Sequence, residues 1–305
     1  MKLQDIQIRD PFVLPVAEEA TYYLFGTTDH NLWGGPGGGF DCYRSTDLEN
    51  WEGPIPAFRP SAGFWGTEQF WAPEVHAFDS RYYLVATFNA PGRRFRGSQI
   101  LVSDKPEGPY HPHGEPITPS RWVCLDATLW RERDGAMWTV FAHEWPQVHD
   151  GEMWMRALDS RLAPSGRPVF LFNASEAAWV RALTEPALGG ANRSFPCYVT
   201  DGPFLHRTAS GALLMLWSSM GELGYAMGLS RSQSGLVAGP WEHLPEPLFG
   251  DDGGHGMVFR AFDGRLWMTS HQPNDTPNER AVFFPIHEDG DSLVVERGST
   301  TSAKS

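Results

Sequence analysis

The stretch from Asp126 to Phe141 contains the unit on which the fold depends. Asp126-Ala127-Thr128-Leu129-Trp130 and Met137-Trp138-Thr139-Val140-Phe141 are two apolar runs, and the pair Asp134-Gly135 lies between them. An Asp-Gly pair between apolar runs is a strong β-hairpin signal, because both residues tolerate the positive φ angles of a tight turn. The sequence therefore predicts two antiparallel strands here.

The same unit occurs five times along the chain. Further copies lie at 10–26, 72–87, 201–217 and 255–269, two of them with the turn pairs Ser210-Gly211 and Asp263-Gly264. A later Gly-Pro pair follows three of the copies, at residues 53–54, 108–109 and 239–240, as expected near the ends of outer strands. The turns recur roughly every 50 to 75 residues, which leaves room for about four strands per unit. The sequence predicts an all-β, five-bladed β-propeller; a β-sandwich with similar hairpins is the alternative.

The composition agrees with many short strands. The 305 residues include 32 Gly, 25 Pro and 13 Trp, and turn formers with planar side chains favour strands over helices. No linker or shift in composition divides the chain, so we expect one domain over residues 1–296. The small polar residues at 297–305 predict a disordered tail.

Charge and hydropathy exclude several classes of protein. The formal net charge is −13, which repels phosphate backbones and argues against nucleic-acid binding. No apolar stretch approaches the ~20 residues that span a bilayer, and the N-terminus lacks the apolar region of a signal peptide. We therefore expect a cytoplasmic protein with no membrane partner. The three cysteines form no CxxC pair, which argues against a disulfide framework or a zinc ribbon.

Ionisable residues recur at the start of each predicted first strand. In a propeller these strands surround the central axis, so their leading residues converge on one pocket. The five leading residues are Asp10, Glu74, Asp126, Asp201 and His255. Carboxylates held close together cannot all ionise freely, so at least one pKa rises, and an acid and a base can then coexist at neutral pH. Each aspartate before Pro or Gly is also a common turn residue; the recurrence favours a catalytic site.

Five short motifs carry a family resemblance. They are Arg9-Asp10-Pro11-Phe12, Trp71-Ala72-Pro73-Glu74-Val75-His76, Leu125-Asp126-Ala127-Thr128-Leu129, Thr200-Asp201-Gly202-Pro203-Phe204 and Gly254-His255-Gly256-Met257. Each is weak alone, but together they resemble the blade signatures of glycoside hydrolase family 43, in the same order from residue 8 to about 285.

The resemblance implies a five-bladed propeller and an inverting mechanism on arabinose, xylose or galactose linkages. Asp10 resembles the general base that activates water, and Asp126 resembles the aspartate that tunes the pKa of the acid. His255 resembles an axial histidine that binds calcium or another cation, directly or through water; a core histidine hydrogen-bonded in the axis is the alternative. Glu74 is expected to bond neighbouring blades or substrate hydroxyls. No organic cofactor is implied.

One position departs from the family pattern. The resemblance places a glutamate general acid at the start of the fourth blade, where this chain has Asp201. Aspartate is one methylene shorter, so its backbone or the substrate has to lie closer. We expect Asp201 to be the acid, with Glu144 and Glu185 as alternatives.

A sugar site also needs flat apolar faces and polar groups. Tryptophans in loops or at strand ends are candidates for stacking, and polar residues of the fifth blade are candidates for hydroxyl contacts. The predicted substrate-binding residues are Phe70, Trp71, Glu74, Trp145, Trp217 and Arg260, with Trp33, Trp65, His271, Gln272 and Asn274 as weaker candidates. Two insertions could border the pocket: the glycine-rich loop at 34–39, expected to be mobile, and 174–188, the best helical candidate. The basic cluster at residues 93–96 is expected to be a solvated loop or a site for an acidic sugar.

These features predict an inverting, exo-acting glycosidase that acts on an oligosaccharide or glycoside. Because no secretion signal is visible, short imported oligosaccharides are the expected substrates, with α-L-arabinofuranose as the released sugar. β-Xylosidase or β-galactofuranosidase activity is the nearest alternative. A fructan-cleaving retaining enzyme would need an Asn-Asp-Pro opening, where this chain has Arg9-Asp10-Pro11. A carbohydrate-binding propeller without catalysis is the alternative of a different class.

Overall fold

The computed structural model describes residues 1–92, 94–184 and 195–296. They form five antiparallel sheets of four strands, and in each sheet the strands follow one another in chain order. The sheets are the blades of a five-bladed β-propeller, which confirms the fold predicted from the hairpin repeats. The predicted tail at 297–305 lies outside the described residues.

Each blade is built from four consecutive strands. Blade 1 contains β1 (Arg9–Val16), β2 (Thr21–Thr27), β3 (Phe40–Ser45) and β4 (Glu52–Phe58). Blade 2 contains β5 (Glu68–Phe78), β6 (Arg81–Ala90), β7 (Arg94–Ser103) and β8 (His111–Pro112). Blade 3 contains β9 (Cys124–Arg131), β10 (Met137–His143), β11 (Glu152–Leu158) and β12 (Pro164–Asn173). Blade 4 contains β13 (Asp201–Arg207), β14 (Leu213–Gly221), β15 (Gly224–Ser232) and β16 (Trp241–His243). Blade 5 contains β17 (Val258–Arg260), β18 (Leu266–Gln272), β19 (Arg280–Asp289) and β20 (Ser292–Val295).

The turn signals in the sequence mark the hairpins that the structure contains. Gly135, Gly211 and Gly264 have φ angles of 90°, 97° and 87°, and each lies between the first and second strands of its blade. Only glycine adopts such angles without steric cost. The three Gly-Pro pairs lie within β4 or just before β8 and β16, so they do mark outer strands.

A left-handed residue marks the start of the first strand in every blade. The five residues are Asp10 (φ 52°), Ala72 (46°), Asp126 (54°), Gly202 (51°) and His255 (47°). In blades 1 to 4 the pairing between first and second strands shifts register at this point, as it does at a β-bulge. The structurally equivalent residues in blades 2 and 4 are therefore Ala72 and Gly202, so the sequence alignment that used Glu74 and Asp201 was wrong at those two positions.

Neighbouring blades are tied together at these left-handed residues. The backbone N–H of Ala72 donates to Thr27 Oγ1 at 2.7 Å, that of Asp126 to Thr87 Oγ1 at 2.8 Å, and that of His255 to Ser218 Oγ at 2.8 Å. In each case the acceptor belongs to the second strand of the preceding blade. A buried N–H without a partner is costly, so these bonds stabilise the bulges and fix the order of the blades.

The last blade joins the first in the same way. The N–H of Asp10 donates to His271 Nδ1 at 3.2 Å, and Thr269 Oγ1 donates to the carbonyl of Pro11 at 2.8 Å. An isolated bridge between Gln7 and Arg280 continues the contact before β1 begins. The two ends of the described chain thus close the ring.

Aromatic side chains fill the spaces between blades. Trp217 is fully buried; it contacts Phe172 and Trp179, and its Nε1 donates to Ser230 Oγ at 2.8 Å. Phe70 is 1% exposed and packs against Phe40 and Phe58 of blade 1, with 6.0 and 6.2 Å between ring centroids. The prediction that Phe70 and Trp217 contact substrate was therefore wrong, because packing between blades buries both rings.

The two insertions differ from each other. A single 3₁₀ turn, Ala174–Glu176, is the only helical part of 174–184, so the predicted helix is absent from the described part of that segment. The glycine-rich loop is tied down: Asp29 Oδ2 accepts the N–H of Gly38 at 2.5 Å. A Cβ on Gly37 would lie 2.6 Å from the ring of Phe70, so this loop needs glycine for close approach. Among the described residues, no helix is long and apolar enough to cross a membrane.

The hydrogen bonds between blades generate a stability prediction. Ser218→Ala leaves the buried N–H of His255 without its acceptor, so we expect the free energy of unfolding to fall by about 1–3 kcal/mol. Denaturant unfolding of the two proteins measures the difference. Ser61→Ala, at an exposed loop position, is the matched control and should change stability by less than about 0.5 kcal/mol. A Ser218→Ala protein as stable as the control would contradict the assigned role of these bonds.

Candidate active site

A cavity of about 350 Å³ opens at the end of the axis where the first strands begin. It contains eight of the residues that the sequence singled out as catalytic, cation-binding or substrate-binding: Asp10, Trp33, Trp71, Asp126, Glu144, Trp145, Asp201 and His255. Eight further residues complete the wall: Arg9, Leu32, Gln69, Arg96, Leu125, Pro146, Val199 and Tyr225. The wall thus combines carboxyl groups, guanidinium groups and aromatic rings.

Asp10 is held in a cationic and hydrogen-bonded environment. Its Oδ2 accepts the hydroxyl of Thr27 at 2.6 Å, and its Oδ1 lies 3.2 Å from His255 Nδ1 and 3.4 Å from His271 Nδ1. Burial opposes ionisation, but His255, the guanidinium of Arg9 and the Thr27 bond outweigh it, so the pKa of Asp10 is lowered. Asp10 is therefore a carboxylate at neutral pH.

Asp126 and Asp201 lie on adjacent blades and are coupled. Asp126 Oδ2 accepts the N–H of Gly202 at 3.1 Å and lies 3.5 Å from His255 Nδ1. Asp201 is the residue before Gly202, and its Oδ2 accepts the hydroxyl of Tyr225 at 3.0 Å. The backbone of one carboxyl-bearing strand is thus bonded to the carboxyl group of the other.

Burial and mutual repulsion keep a proton on this pair. Burial, followed by the charges of Asp126 and Glu144, raises the pKa of Asp201 to about 8. Burial and the charge of Asp10 raise the pKa of Asp126. Asp126 and Asp201 interact, so they lose their protons in two coupled steps. Asp10, whose pKa is lowered, ionises before either of them. A base and a protonated acid therefore share the cavity at neutral pH.

Glu144, one of the two alternative acids, also lines the cavity. It forms an ion pair with Arg96, and both side chains are largely buried. Burial raises the pKa of Glu144 although Arg96 counteracts this shift. The Arg96 ion pair occupies the Glu144 carboxyl group, whereas the Asp201 carboxyl group accepts a hydrogen bond from the neutral Tyr225 hydroxyl, so we expect Asp201 to be the better placed acid. Glu185, the other alternative, lies outside the described residues.

Two tryptophans and two arginines form one side of the cavity. The rings of Trp33 and Trp71 meet edge to face at 5.7 Å between centroids. The guanidinium of Arg96 lies 4.4 Å from the centroid of Trp71, and that of Arg9 lies 5.2 Å from the centroid of Trp33. Arg9 also forms a 2.7 Å ion pair with Glu279. Since a carboxylate neutralises each arginine, the cavity suits a neutral polyol better than an acidic sugar.

Two predicted substrate-binding residues lie elsewhere. Glu74 is two residues beyond the left-handed position of its blade; its Oε2 contacts His76 Nε2 at 3.1 Å, and it does not line the cavity. Arg260 lines a separate cavity at the opposite end of the first strands, and its Nη1 donates to the carbonyl of Gly264 at 2.8 Å. Both predictions were wrong: a bulge shifts the register just before Glu74, and Arg260 is the last residue of β17, at the far end from the axial cavity.

The groups around the His255 imidazole bear on the cation predicted there. Nδ1 faces carboxylate oxygens of Asp10 and Asp126, and the ring packs closely against Gly202. Across the described ranges, no group of three or more His, Cys, Asp or Glu side chains has the arrangement of a metal site. A calcium ion stays a prediction, and the chemistry proposed below does not use it.

Sequence reasoning missed several residues of the site. Tyr225 lies on β15 and bonds Asp201, and Arg9 was noted only as part of a motif. His271, expected to contact sugar hydroxyls, is fully buried and holds Asp10 instead. Its pKa is lowered to about 4, chiefly by burial, so it is a neutral hydrogen-bond acceptor. Arg9 has a usable signal, since it precedes Asp10 in the first motif; no sequence signal marks Tyr225.

Comparisons with known proteins agree with this architecture. The model of the glycosyl hydrolases family 43 matches residues 5–287. The chain is similar to a solved endo-arabinase from Bacteroides thetaiotaomicron, with 40% identity and a TM-score of 0.85 over 95% of this chain and 97% of that one. A solved α-L-arabinofuranosidase from Lactobacillus brevis has 18% identity and a TM-score of 0.72 over 98% of each chain, which shows a shared fold alone.

A curated relative matches over a shorter stretch. The xylosidase/arabinosidase 43A of Humicola insolens is 36% identical over 81 residues, which are 27% of this chain and 24% of that protein. The matched part is thus about a quarter of that relative's length. The family match, in contrast, extends from blade 1 into β19 of blade 5 and includes every carboxyl group of the cavity. The chain belongs to glycosyl hydrolase family 43.

Proposed function

We propose that this glycoside hydrolase is an inverting, exo-acting enzyme that releases terminal α-L-arabinofuranose from short oligosaccharides. Asp10 is the general base, Asp201 the general acid, and Asp126 the carboxyl that tunes the acid. The observation that carries the proposal is the pairing, in one axial cavity, of a carboxylate that contacts His255, His271 and the Thr27 hydroxyl with a second, partly buried carboxyl whose pKa is raised by burial and by the nearby Asp126 and Glu144.

The two carboxyl groups suit the two proton transfers of inversion. Asp10 takes a proton from a water molecule, whose oxygen attacks the anomeric carbon. Asp201 gives its proton to the glycosidic oxygen as that bond breaks, so the aglycone leaves as a neutral alcohol. The free sugar has the opposite anomeric configuration, and the proton on Asp10 and the vacancy on Asp201 are restored through solvent. Inverting enzymes hold these carboxyl groups about 6.5–9.5 Å apart to admit the water.

Cavity size and relatives together support the substrate class. A cavity of about 350 Å³ is at the small end of ligand pockets, as expected for one terminal sugar ring and part of the next. Trp71 and Trp145 offer flat faces, and Arg96 and Glu144 offer hydroxyl partners. Names that refer to arabinan or arabinosides recur among the relatives: an endo-arabinase, an α-L-arabinofuranosidase and a xylosidase/arabinosidase. Another curated relative is named a β-xylosidase, so xylosidase activity is the nearest alternative.

A panel of chromogenic glycosides tests the proposed sugar. We expect turnover of 4-nitrophenyl α-L-arabinofuranoside, with slower or no turnover of the β-D-xyloside, β-D-galactofuranoside and β-D-fructofuranoside. Linear arabinan, analysed by product length, separates exo from endo action: arabinose as the first product supports exo cleavage. Longer oligosaccharides as first products would contradict exo action, and turnover of the xyloside alone would contradict the sugar.

Single substitutions test the proton-transfer roles. We expect Asp10→Asn and Asp201→Asn to lower kcat by about 10²–10⁴-fold, because each removes one proton transfer from the reaction. Asp134→Asn, at the exposed turn of the β9–β10 hairpin, is the matched control and should retain wild-type kcat. Circular dichroism and thermal unfolding check that all three proteins fold. Wild-type turnover by Asp201→Asn would remove that residue from the acid role.

The pH dependence follows from the two pKa shifts. Catalysis needs Asp10 ionised and Asp201 protonated, so kcat/KM should follow a bell-shaped curve. On the acid side, activity should be lost only below the ordinary pKa range of an aspartate, since the Asp10 pKa is lowered. On the alkaline side, activity should fall near pH 8 as Asp201 loses its proton. An alkaline limb at pH 5 would contradict the assignment.

A further inference from the structure

Blade 3 breaks the pattern of hydrogen bonds that ties the other blades together. In each blade, one residue of the second strand lies opposite the residue that precedes the left-handed position. The five cross-strand pairs are Arg9 with Thr27, Trp71 with Thr87, Leu125 with Ala142, Asp201 with Ser218, and Gly254 with His271. Four of the second-strand residues accept the left-handed N–H of the next blade; Ala142 has no side-chain acceptor.

The N–H group that lacks a second-strand acceptor, because residue 142 is alanine, belongs to Gly202. A hydroxyl at residue 142 would occupy the position from which Thr27, Thr87 and Ser218 accept hydrogen bonds from the next blade. Instead, the Gly202 N–H donates to Asp126 Oδ2 at 3.1 Å. Asp126 is itself the left-handed residue of blade 3, so its carboxyl group reaches across to the next blade, whereas the other blades use a second-strand side chain.

We propose that Ala142 is a positioning residue: its lack of a hydrogen-bond acceptor leaves the Gly202 N–H to Asp126, and this bond holds the Asp126 carboxylate beside the general acid Asp201. The inference rests on the proposed function, because it assigns Asp126 and Asp201 the roles given above. It adds a residue that does not line the cavity and acts through the backbone of blade 4.

The bond gives Asp126 a fixed position among competing partners. Its Oδ2 also lies 3.5 Å from His255 Nδ1, and its Oδ1 lies 3.5 Å from Thr87 Oγ1. A hydrogen bond from a backbone N–H to a carboxylate is stronger than one to a neutral acceptor. If another acceptor takes the Gly202 N–H, the carboxyl group can rotate toward His255, and its interaction with Asp201 weakens.

A hydroxyl group at residue 142 would be as buried as those at the equivalent positions of blades 2 and 4. Ala142 is fully buried, and its counterparts Thr87 and Ser218, also fully buried, carry hydroxyl groups in the same position of the repeat. Serine is the smallest residue that restores the missing acceptor. Ala142→Ser is therefore the direct test, and Ala142→Cys, with a side chain of similar shape and a weak acceptor, is the matched control.

The kinetic test uses the leaving group to isolate acid catalysis. A 2,4-dinitrophenyl arabinoside departs with little protonation, whereas an arabinosyl disaccharide needs the acid. For Ala142→Ser we expect kcat on the disaccharide to fall about tenfold, a part of the 10²–10⁴ that a general acid supplies, with less than about a twofold change on the dinitrophenyl substrate. KM should change little. Ala142→Cys should resemble the wild type on both substrates.

The outcomes separate the inference from the proposed function. Equal loss on both substrates, or equal loss in Ala142→Ser and Ala142→Cys, would show a packing effect and overturn the inference. A wild-type protein without turnover of any glycoside would contradict the proposed function. In that case a crystal structure of Ala142→Ser still tests the inference: the introduced hydroxyl should accept the Gly202 N–H, with Asp126 displaced. An unmoved Asp126 that keeps the Gly202 bond would overturn it.

A spectroscopic test covers the event that Ala142→Ser does not fold. In wild-type protein labelled with ¹⁵N-glycine, the Gly202 amide proton should resonate downfield, because it is bonded to a carboxylate. Asp126→Asn replaces the carboxylate with a weaker amide acceptor and should move this resonance upfield. The neighbouring Gly228, on β15, is the internal control. A Gly202 resonance unchanged by Asp126→Asn would overturn the inference.

Discussion

The structure depends on the hydrogen-bond acceptors of five backbone N–H groups, which belong to the left-handed residues near the start of the first strands. Because each bulge turns a backbone amide away from its own sheet, the next blade must sit where a side chain of its neighbour can accept that hydrogen. The bonds from Ala72 to Thr27 and from Asp10 to His271 show the arrangement at two joints. The same bulges turn Asp10, Asp126 and His255 toward the axis, so the feature that orders the blades also assembles the site.

The chemistry follows from the unequal surroundings of similar side chains. Asp10 faces imidazole and guanidinium groups and stays ionised, whereas Asp201 lies partly buried near Asp126 and Glu144 and keeps its proton. Neither aspartate is unusual in sequence. The difference arises from position in the ring. Asp10 lies beside His271 of blade 5 and follows Arg9, which pairs with Glu279. Asp201 lies beside two carboxyl groups of blade 3, those of Asp126 and Glu144.

The hairpins and blade number could be predicted because Asp-Gly and Ser-Gly turns between apolar runs are local signals. Asp10, Asp126 and His255 were singled out because they occupy one position of the repeat, and Asp201 because it lies one residue before that position. Glu74 was misplaced because a bulge shifts the register by a residue or two without a signature in composition. Phe70 and Trp217 were misassigned because packing between blades decides which ring is buried. Arg96 and Tyr225 come from third strands, β7 and β15, whose reach toward the axis depends on blade twist and side-chain length.

The anomeric configuration of the first sugar released distinguishes inversion from retention. Proton NMR of an α-L-arabinofuranoside, recorded during the first minutes of hydrolysis, distinguishes the two anomers before they equilibrate in water. A base that activates water on the face opposite the leaving group predicts β-L-arabinofuranose as the initial product. Initial formation of the α-anomer would require a covalent intermediate on one of the carboxyl groups, and would contradict the roles assigned to Asp10 and Asp201.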